Sequence, residues 1–393
     1  MTSAPEPLGV QGGRNDLLRR HNLGLVLRSV HLAPKTRSSL TRISGLNRST
    51  IGALVADLAS RQLVVEDEAS PLGQVGRPSP VVRPSDVPTA IAVNPEIDAV
   101  TVATVLLGGR VLEKERVPFD EVPTPEAAVA AAAAAIERLR ARSHTARAVG
   151  IGVAVPGIVA QGDGVVRNAP HLGWREVPLS RMLTEATGLP ARVSNDATAG
   201  AQAEWVFGAG RGVDDLVYLH AGASGIGAGI VSGGRLLIGA TGHAGELGHT
   251  AVRRHGPRDT IGLRGTLESE VTRERLLAAL GLDRADPDEL ARALVTSDAP
   301  AVRSEVDRQI DHLAVAIANA VNLLNPGRFV LGGFLSALVA VDRPRLERAV
   351  AERTLPLPGE RIEIVQAELG SDLLLIAAAE LPFARLFADP LAV

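Results

Sequence analysis

The sequence predicts a multidomain chain: a small helical head with two short strands, then an α/β body of two lobes. Three observations carry this prediction. Two helical patterns meet at a tight Gly45-Leu46-Asn47 turn within residues 38–62. Two strand-like runs, at 63–66 and 80–83, flank the Gly- and Pro-punctuated stretch SPLGQVGRPS. Strand and helix patterns then alternate over the remaining chain, as α/β lobes require. At 393 residues the chain exceeds what one core can serve.

The elements follow in order. Residues 1–13 are expected to be a mobile tail, and 14–85 the head. A first helix is predicted at 16–31, with Leu17, Leu18, Leu25, Leu27 and Val30 as its apolar set. Past the Gly45 turn, Asn47, Arg48, Ser49 and Thr50 open a second pattern with polar groups. Ile51, Leu54, Val55 and Leu58 recur at helical spacing and give that helix one buried face. A turn followed by a helix with a basic, polar start is how a helix-turn-helix presents side chains to the major groove. With the two flanking strands it reads as a winged helix. Arg48, Ser49 and Thr50 are expected to meet base edges or phosphates. Arg37, Arg42 and Arg77 are expected at the backbone or the minor groove, Arg77 from the wing.

The body, 86–393, begins near Thr89, with hinges expected near 195 and 370. Strands are predicted at 90–93, 99–106, 149–155, 191–193, 216–220, 227–231, 329–331 and 362–365. Helices are predicted at 124–142, 179–187, 196–209, 269–280, 286–295, 299–324 and 343–355.

Charge is unevenly placed. Residues 1–85 carry a net +5 and residues 86–393 a net −8. A basic head on an acidic body suits a nucleic-acid-binding module joined to something that does not bind nucleic acid; a solvated basic face is the plainer alternative. The chain has no cysteine, which excludes disulfides, cysteine nucleophiles and thiolate metal sites. The opening MTSAPEPLGVQGGRND has no apolar core of signal-peptide length. The Ala-rich run 127–136 is too short to span a bilayer. A cytoplasmic address without membrane attachment is therefore expected.

Four segments look like a site. Pro156-Gly157 turns at the end of an apolar strand, where clefts of α/β folds open. Downstream, Trp174 offers an indole for a sugar ring to lie against. Asn195-Asp196 joins a strand to a helix; Asp196 can cap that helix, or the pair can clamp vicinal hydroxyls with Asp196 as general base. The glycines of 222–229 allow close backbone approach and can form an anion nest. Glu246 and His249 lie three apart among glycines, as polyhydroxyl partners or as a structural ion pair.

Together these segments resemble the ROK family (repressors, open reading frames and kinases). The family's sugar-binding pattern resembles Pro156-Gly157, Asn195-Asp196-Ala197, the run from Gly245 to His249 and the run from Gly265 to Glu268. Its phosphate loop is similar to residues 222–227, and its repressor branch to Arg20-His21-Asn22-Leu23, the run from Gly45 to Thr50 and the run from Val75 to Pro80. The resemblance implies an actin-like (ribonuclease H-like) sugar-kinase body. It also implies that Gly157, Asn195, Asp196, Glu246, His249 and Glu268 contact sugar, Glu268 on this ground alone.

Two departures bear on activity. The kinases begin their body with an Asp-x-Gly-x-Thr phosphate loop; here Asn94 replaces the carboxylate, and Glu96 and Asp98 add negative charge. Phosphoryl transfer needs that charge neutralised, so loss of kinase activity is expected. The family's structural zinc is held by a His and three Cys. The three Cys positions here read Asp259, Ile261 and Thr266, which make no closed four-coordinate site; a substitute site from His249, His255 and Asp259 is the alternative. No metal and no cofactor are expected, and packing is expected to hold the 249–268 loop, which is then mobile without ligand.

The expected function is a sugar-responsive DNA-binding transcriptional regulator, a repressor of carbohydrate metabolism genes. Its partners are a palindromic double-stranded operator, a small sugar or sugar derivative, and a second copy of itself, with a tetramer as the larger alternative. The competing readings are a ROK sugar kinase with an attached DNA-binding head, and a regulator that has lost its effector.

Overall fold

The computed structural model describes residues 9–67, 79–142, 146–160, 162–222, 225–285, 287–356 and 362–392. The head comprises α1 (Gly9–Leu32), β1 (Lys35–Thr36), α2 (Arg37–Ser44), α3 (Arg48–Ser60), β2 (Val64–Asp67) and β3 (Val81–Pro84). The Thr36 side chain accepts from Ser39 N at 3.1 Å and starts α2. Gly45, at φ 70°, ends it in the left-handed region that glycine enters without steric cost. Asn47 then caps α3 by accepting from Thr50 N at 2.8 Å. Ile51, Leu54, Val55 and Leu58 are buried, as their spacing predicts. Strand β3 lies between β1 and β2, antiparallel to both. The loop expected to form the wing, with Arg77, lies outside the described residues.

The sequence misjudged α1. It starts at Gly9, inside the expected tail, and the apolar side chains it buries are Leu23, Val26 and the expected Leu27 and Val30. Leu17, Leu18 and Leu25 are exposed.

The first lobe holds β4 (Pro88–Pro95), β5 (Ala99–Leu106), β6 (Val111–Pro118), α4 (Pro125–Arg142), β7 (Arg147–Val155), β8 (Ile158–Val159), β9 (Val166–Ala169), β10 (Trp174–Val177), α5 (Leu179–Thr187) and β11 (Ala191–Asn195). Its main sheet runs β11-β7-β4-β5-β6, and β8, β9 and β10 form a small sheet of their own. Helix α6 (Asp196–Phe207) leads into the second lobe. There follow β12 (Leu216–Gly222), β13 (Gly225–Ser232), β14 (Arg235–Leu236), α7 (Leu267–Glu270), α8 (Arg273–Leu280), α9 (Pro287–Thr296), α10 (Pro300–Leu324), β15 (Arg328–Gly333), α11 (Leu335–Ala351), β16 (Glu363–Gln366) and α12 (Leu373–Ala388). The second sheet runs β14-β13-β12-β15-β16. Helices α6 and α12 touch each other and link the sheets: α12 packs on β4 and β7, α6 on β12 and β13.

Strand β6 escaped the sequence reading because every second residue is exposed and charge fills it: Glu113, Lys114, Glu115 and Arg116. The helix predicted at 269–280 is broken at Val271–Thr272 into α7 and α8. Helix α11 begins well before the predicted 343, and a non-helical Asp342 ahead of Pro344 marks its kink.

Head and body are fused. Leu23, Leu27, Leu58 and Val82 of the head share one core with Ala90, Val105, Ala378 and Phe383 of the body. Gly24 allows the closest approach: a Cβ there would lie 2.0 Å from the Phe387 carbonyl oxygen on α12. His31, 1% exposed, seals the joint. Its Nδ1 accepts from Gly108 N at 2.9 Å, so its Nε2 carries the hydrogen and donates to Glu380 Oε1 at 2.9 Å. Phe207, Phe383 and Phe387 surround the ring. Among the described residues no helix is long and apolar enough to cross a membrane.

Candidate functional site

Strands β7 and β11 run parallel and end side by side, and beyond their C-terminal ends a cleft opens. Gly157, Ile158, Asn195, Thr198, Gly227, His243 and Glu246 are among the residues lining it. The sequence-predicted Gly157, Asn195 and Glu246 therefore meet in one cavity. Thr198 and His243 were missed. Thr198 lies in the first turn of α6, and His243 within the glycine-rich run that drew attention to Glu246.

Asn195, rather than Asp196, caps α6: its Oδ1 accepts from Thr198 N at 2.9 Å. Its Nδ2 donates to Gly157 O at 3.0 Å and Asp196 Oδ1 at 3.1 Å. The Asn195 amide thus ties the Gly157 turn to the start of α6 and shapes the cleft. Asp196 takes the first helical position, with Ala197 N donating to its Oδ1 at 2.8 Å. Burial raises its carboxyl to about 6 against those hydrogen bonds, and the Glu246 charge pushes the same way. It is therefore mostly ionised at neutral pH and ready to accept hydroxyl protons.

His249 ends a short 3-10 turn over Leu247–His249, directly after Glu246. Its Nδ1 lies 2.9 Å from Asp259 Oδ2. The Asp259 side chain is fully buried. Its Oδ2 also accepts from Thr266 Oγ1 at 3.0 Å, and its Oδ1 from Ile261 N at 3.1 Å and Leu263 N at 2.8 Å. Burial tends to raise the Asp259 carboxyl, yet the hydrogen bonds from His249 and Thr266 outweigh it and hold it below the usual range. Isolated bridges Ala251–Thr266 and Arg258–Arg264 close the same loop. Hydrogen bonds around one carboxylate hold the 249–268 loop, and the expectation of packing alone is corrected.

Glu268 is placed differently from its expected role. Its Oε2 accepts from Ile226 N at 3.0 Å and its Oε1 from Thr260 Oγ1 at 2.6 Å. It buttresses the β12–β13 hairpin and, like Asp196 and His249, is not among the residues lining the cavity. Trp174 is also corrected: it is 2% exposed, and Nε1 donates to Pro123 O at 2.9 Å inside the first lobe.

The segment at the kinase phosphate-loop position is short. Glu96 N donates to Ala99 O at 2.8 Å, closing a tight turn from β4 to β5. Asn94 is buried, and Arg116 pairs with Glu96 at 3.4 Å and Asp98 at 2.8 Å. Across the cleft, residues 223 and 224 lie outside the described residues. Burial lowers the nearby His220 imidazole to about 4, so it offers no positive charge at neutral pH.

On the head, Arg42, Arg48 and Ser49 are exposed and Thr50 half-buried. The Ser49 hydroxyl donates to Asn47 Oδ1 at 2.7 Å. Arg37, expected at a DNA backbone, is instead paired with Glu66 of β2. The Arg37 side chain is still 37% exposed within that pair, and among the described residues Arg42 and Arg48 form no ion pair.

Comparison with known proteins agrees with this picture. A model described as the ROK family matches residues 92–382. The chain is 25% identical to the xylose repressor of Caldicellulosiruptor bescii, over 87% of this chain and 90% of that protein. It is 32% identical to a glucokinase of Thermotoga maritima, over 58% of this chain and 77% of the enzyme. A solved structure of a ROK family transcriptional regulator, a homologue of the Escherichia coli MLC protein, superposes with a TM-score of 0.76. That match is 25% identical and covers 95% of this chain and 98% of the other.

Proposed function

The chain belongs to the ROK family, and we propose that it is a sugar-responsive DNA-binding transcriptional regulator without kinase activity. The observation that carries the proposal is the joint between the two functional ends. Helix α6 starts at the cleft with Asn195 and Asp196 and ends with Phe207 against the His31 ring, 5.1 Å between ring centres. His31 belongs to α1 of the head. A sugar that repositions the start of α6 relative to the first lobe therefore bears directly on the helix carrying the head.

In this reading the head is a winged helix-turn-helix. Arg48, Ser49 and Thr50 at the start of α3 face base edges or phosphates, and the exposed Arg42 contacts the backbone. A homodimer presents two heads to a palindromic operator. In the cleft, Asp196 and Glu246 accept sugar hydroxyls, with Gly157 and His249 beside them. The sugar regulates only by binding one arrangement of the lobes better than the other. Repression fits the full-length relatives, the xylose repressor among them. A cytoplasmic address follows from contact with DNA.

The enzyme alternative rests on the glucokinase relatives. Against it stand the closed Glu96–Ala99 turn, the carboxylates there and the uncharged His220. The Arg116 guanidinium at that turn is already paired with Glu96 and Asp98 and so is not free to offset a γ-phosphate.

The test is a gel-shift assay on genomic fragments with a panel of monosaccharides. The wild type is expected to bind a fragment and release it with one sugar. Asp196→Ala and Glu246→Ala are expected to bind equally well and not to release. Normal release by both variants would overturn the site. Sugar phosphorylation from ATP would restore the kinase reading.

A further inference from the structure

We propose that Asp259 is a positioning residue that replaces a metal: it orients His249 for sugar and makes ligand binding by this cleft metal-independent. The inference rests on the reading of the cleft as a sugar site. The donor set at the family's zinc position does not fit zinc. Thr266 Oγ1 spends its hydrogen on Asp259, and the Ile261 side chain is half exposed and cannot ligate. Among the described residues no three His, Cys, Asp or Glu side chains converge as a metal cluster requires.

What stands there is a fully hydrogen-bonded carboxylate. A tetrahedral zinc would draw four ligands from this loop together. Asp259 draws four partners together instead: His249 Nδ1, Thr266 Oγ1, Ile261 N and Leu263 N. The two backbone donors face Oδ1, and the two side chains face Oδ2. This division of labour sets the chemistry at His249. An ionised carboxylate only accepts, so Nδ1 of the neutral ring must carry the hydrogen. Nε2 is then a lone pair, with no protein partner among the described residues. Glu246, which lines the cleft, sits three residues before it, and Asp196 directly follows the lining residue Asn195. All three groups then accept hydroxyl protons, a pattern suited to a polyol with consecutive donors.

The buried Asp259 carboxylate is also what ties the exposed middle of the loop to its two ends. Removing the carboxylate frees four donors at once, of which His249 Nδ1 and Thr266 Oγ1 are part-buried while Ile261 N and Leu263 N lie in exposed residues that water can reach. A metal site gains the same rigidity from coordinate bonds, but only while loaded.

Two substitutions separate orientation from scaffolding. Asp259→Asn retains an acceptor for Ile261 N and Leu263 N, and puts an amide donor toward His249. It forces the hydrogen onto Nε2 and turns that atom from an acceptor into a donor. Asp259→Ala removes both functions. The probes are D-xylose and D-glucose by isothermal titration, long-range 15N spectra of the His249 ring, and amide exchange of residues 259–266.

In the wild type the ring is expected as the Nδ1-H tautomer. Sugar affinity should be unchanged by prior chelation and by added zinc. Asp259→Asn should give the Nε2-H tautomer, unchanged amide exchange and a loss of affinity of about tenfold or more, the usual effect of one unmatched buried polar contact. Asp259→Ala should lose affinity and speed exchange together. Unchanged affinity in Asp259→Asn, an Nε2-H wild type, or chelator-sensitive binding each overturns the inference. Should the wild type bind neither sugar, the ring tautomer and exchange data still decide the positioning role, and only the reading of the cleft fails.

Discussion

Cutting the His31–Glu380 contact should uncouple the head from the body, and the size of the effect follows from burial. The side chains are 1% and 5% exposed and meet at 2.9 Å, so neither finds water when its partner is removed. Glu380→Ala leaves the His31 Nε2 hydrogen orphaned, at a cost of about 1–3 kcal/mol. It also opens a cavity the size of the lost methylenes, adding on the order of 1 kcal/mol. A total of about 3 kcal/mol is a large fraction of the margin of a typical domain. Glu380→Gln keeps an acceptor and should lose less than half of that. The clean measure is a double-mutant cycle with His31→Phe, by urea unfolding. Phenylalanine preserves packing against Phe207, Phe383 and Phe387. It also orphans Gly108 N, but that cost cancels around the cycle. A coupling energy of about 1.5–3 kcal/mol is expected for a hydrogen bond to a charged group. In a gel shift, folded Glu380→Gln should still bind DNA and respond less to sugar than the wild type. A coupling below about 0.5 kcal/mol, together with a normal sugar response, would refute the joint as the route of communication.

Sugar affinity should depend on pH through Asp196. Its carboxyl titrates at about 6 when folded, against 3.8 as a free side chain. Hydroxyl donation favours the ionised form, so affinity should rise with pH up to about 6 and level off above it. Asp196→Asn should abolish that dependence, and Glu246→Gln should move the midpoint down by removing a negative neighbour. Stability runs the other way: the folded state holds the Asp196 proton more tightly, so this group's contribution is fullest below about 3.8 and is lost as pH rises through 6. Thermal melts from pH 4 to 7 of wild type against Asp196→Asn measure it, and a contribution that grows with pH would contradict the assignment. Gly24→Ala should push α1 from α12, since the new Cβ has only 2.0 Å to the Phe387 carbonyl oxygen. A destabilisation of about 1–3 kcal/mol is expected for such overpacking, read by denaturant unfolding; a neutral result would place the helices further apart.

The sequence alone determined the helix-turn-helix core, the alternation of the body and the gathering of Gly157, Asn195 and Glu246. The first two were legible because they are local, the third only because the motifs carrying those residues resemble a known family's. A left-handed Gly45, an Asx cap and a period-3.6 apolar face each follow from neighbours a few residues apart. Helix α12 was not legible for the opposite reason. It is buried almost all round, from Leu373 to Leu386, and so carries no amphipathic period. Only the tertiary structure decided what the polar side chains do. Arg37 and Glu268 look free in the sequence, yet each is held by a partner 29 or 42 residues away, Glu66 and Ile226. Asp259 looked like a failed ligand and became the centre of its loop. His31, unremarked in the sequence, joins Gly108 and Glu380, residues 77 and 349 positions away. A hydrogen bond depends on position to tenths of an ångström, and separation along a chain carries no such information.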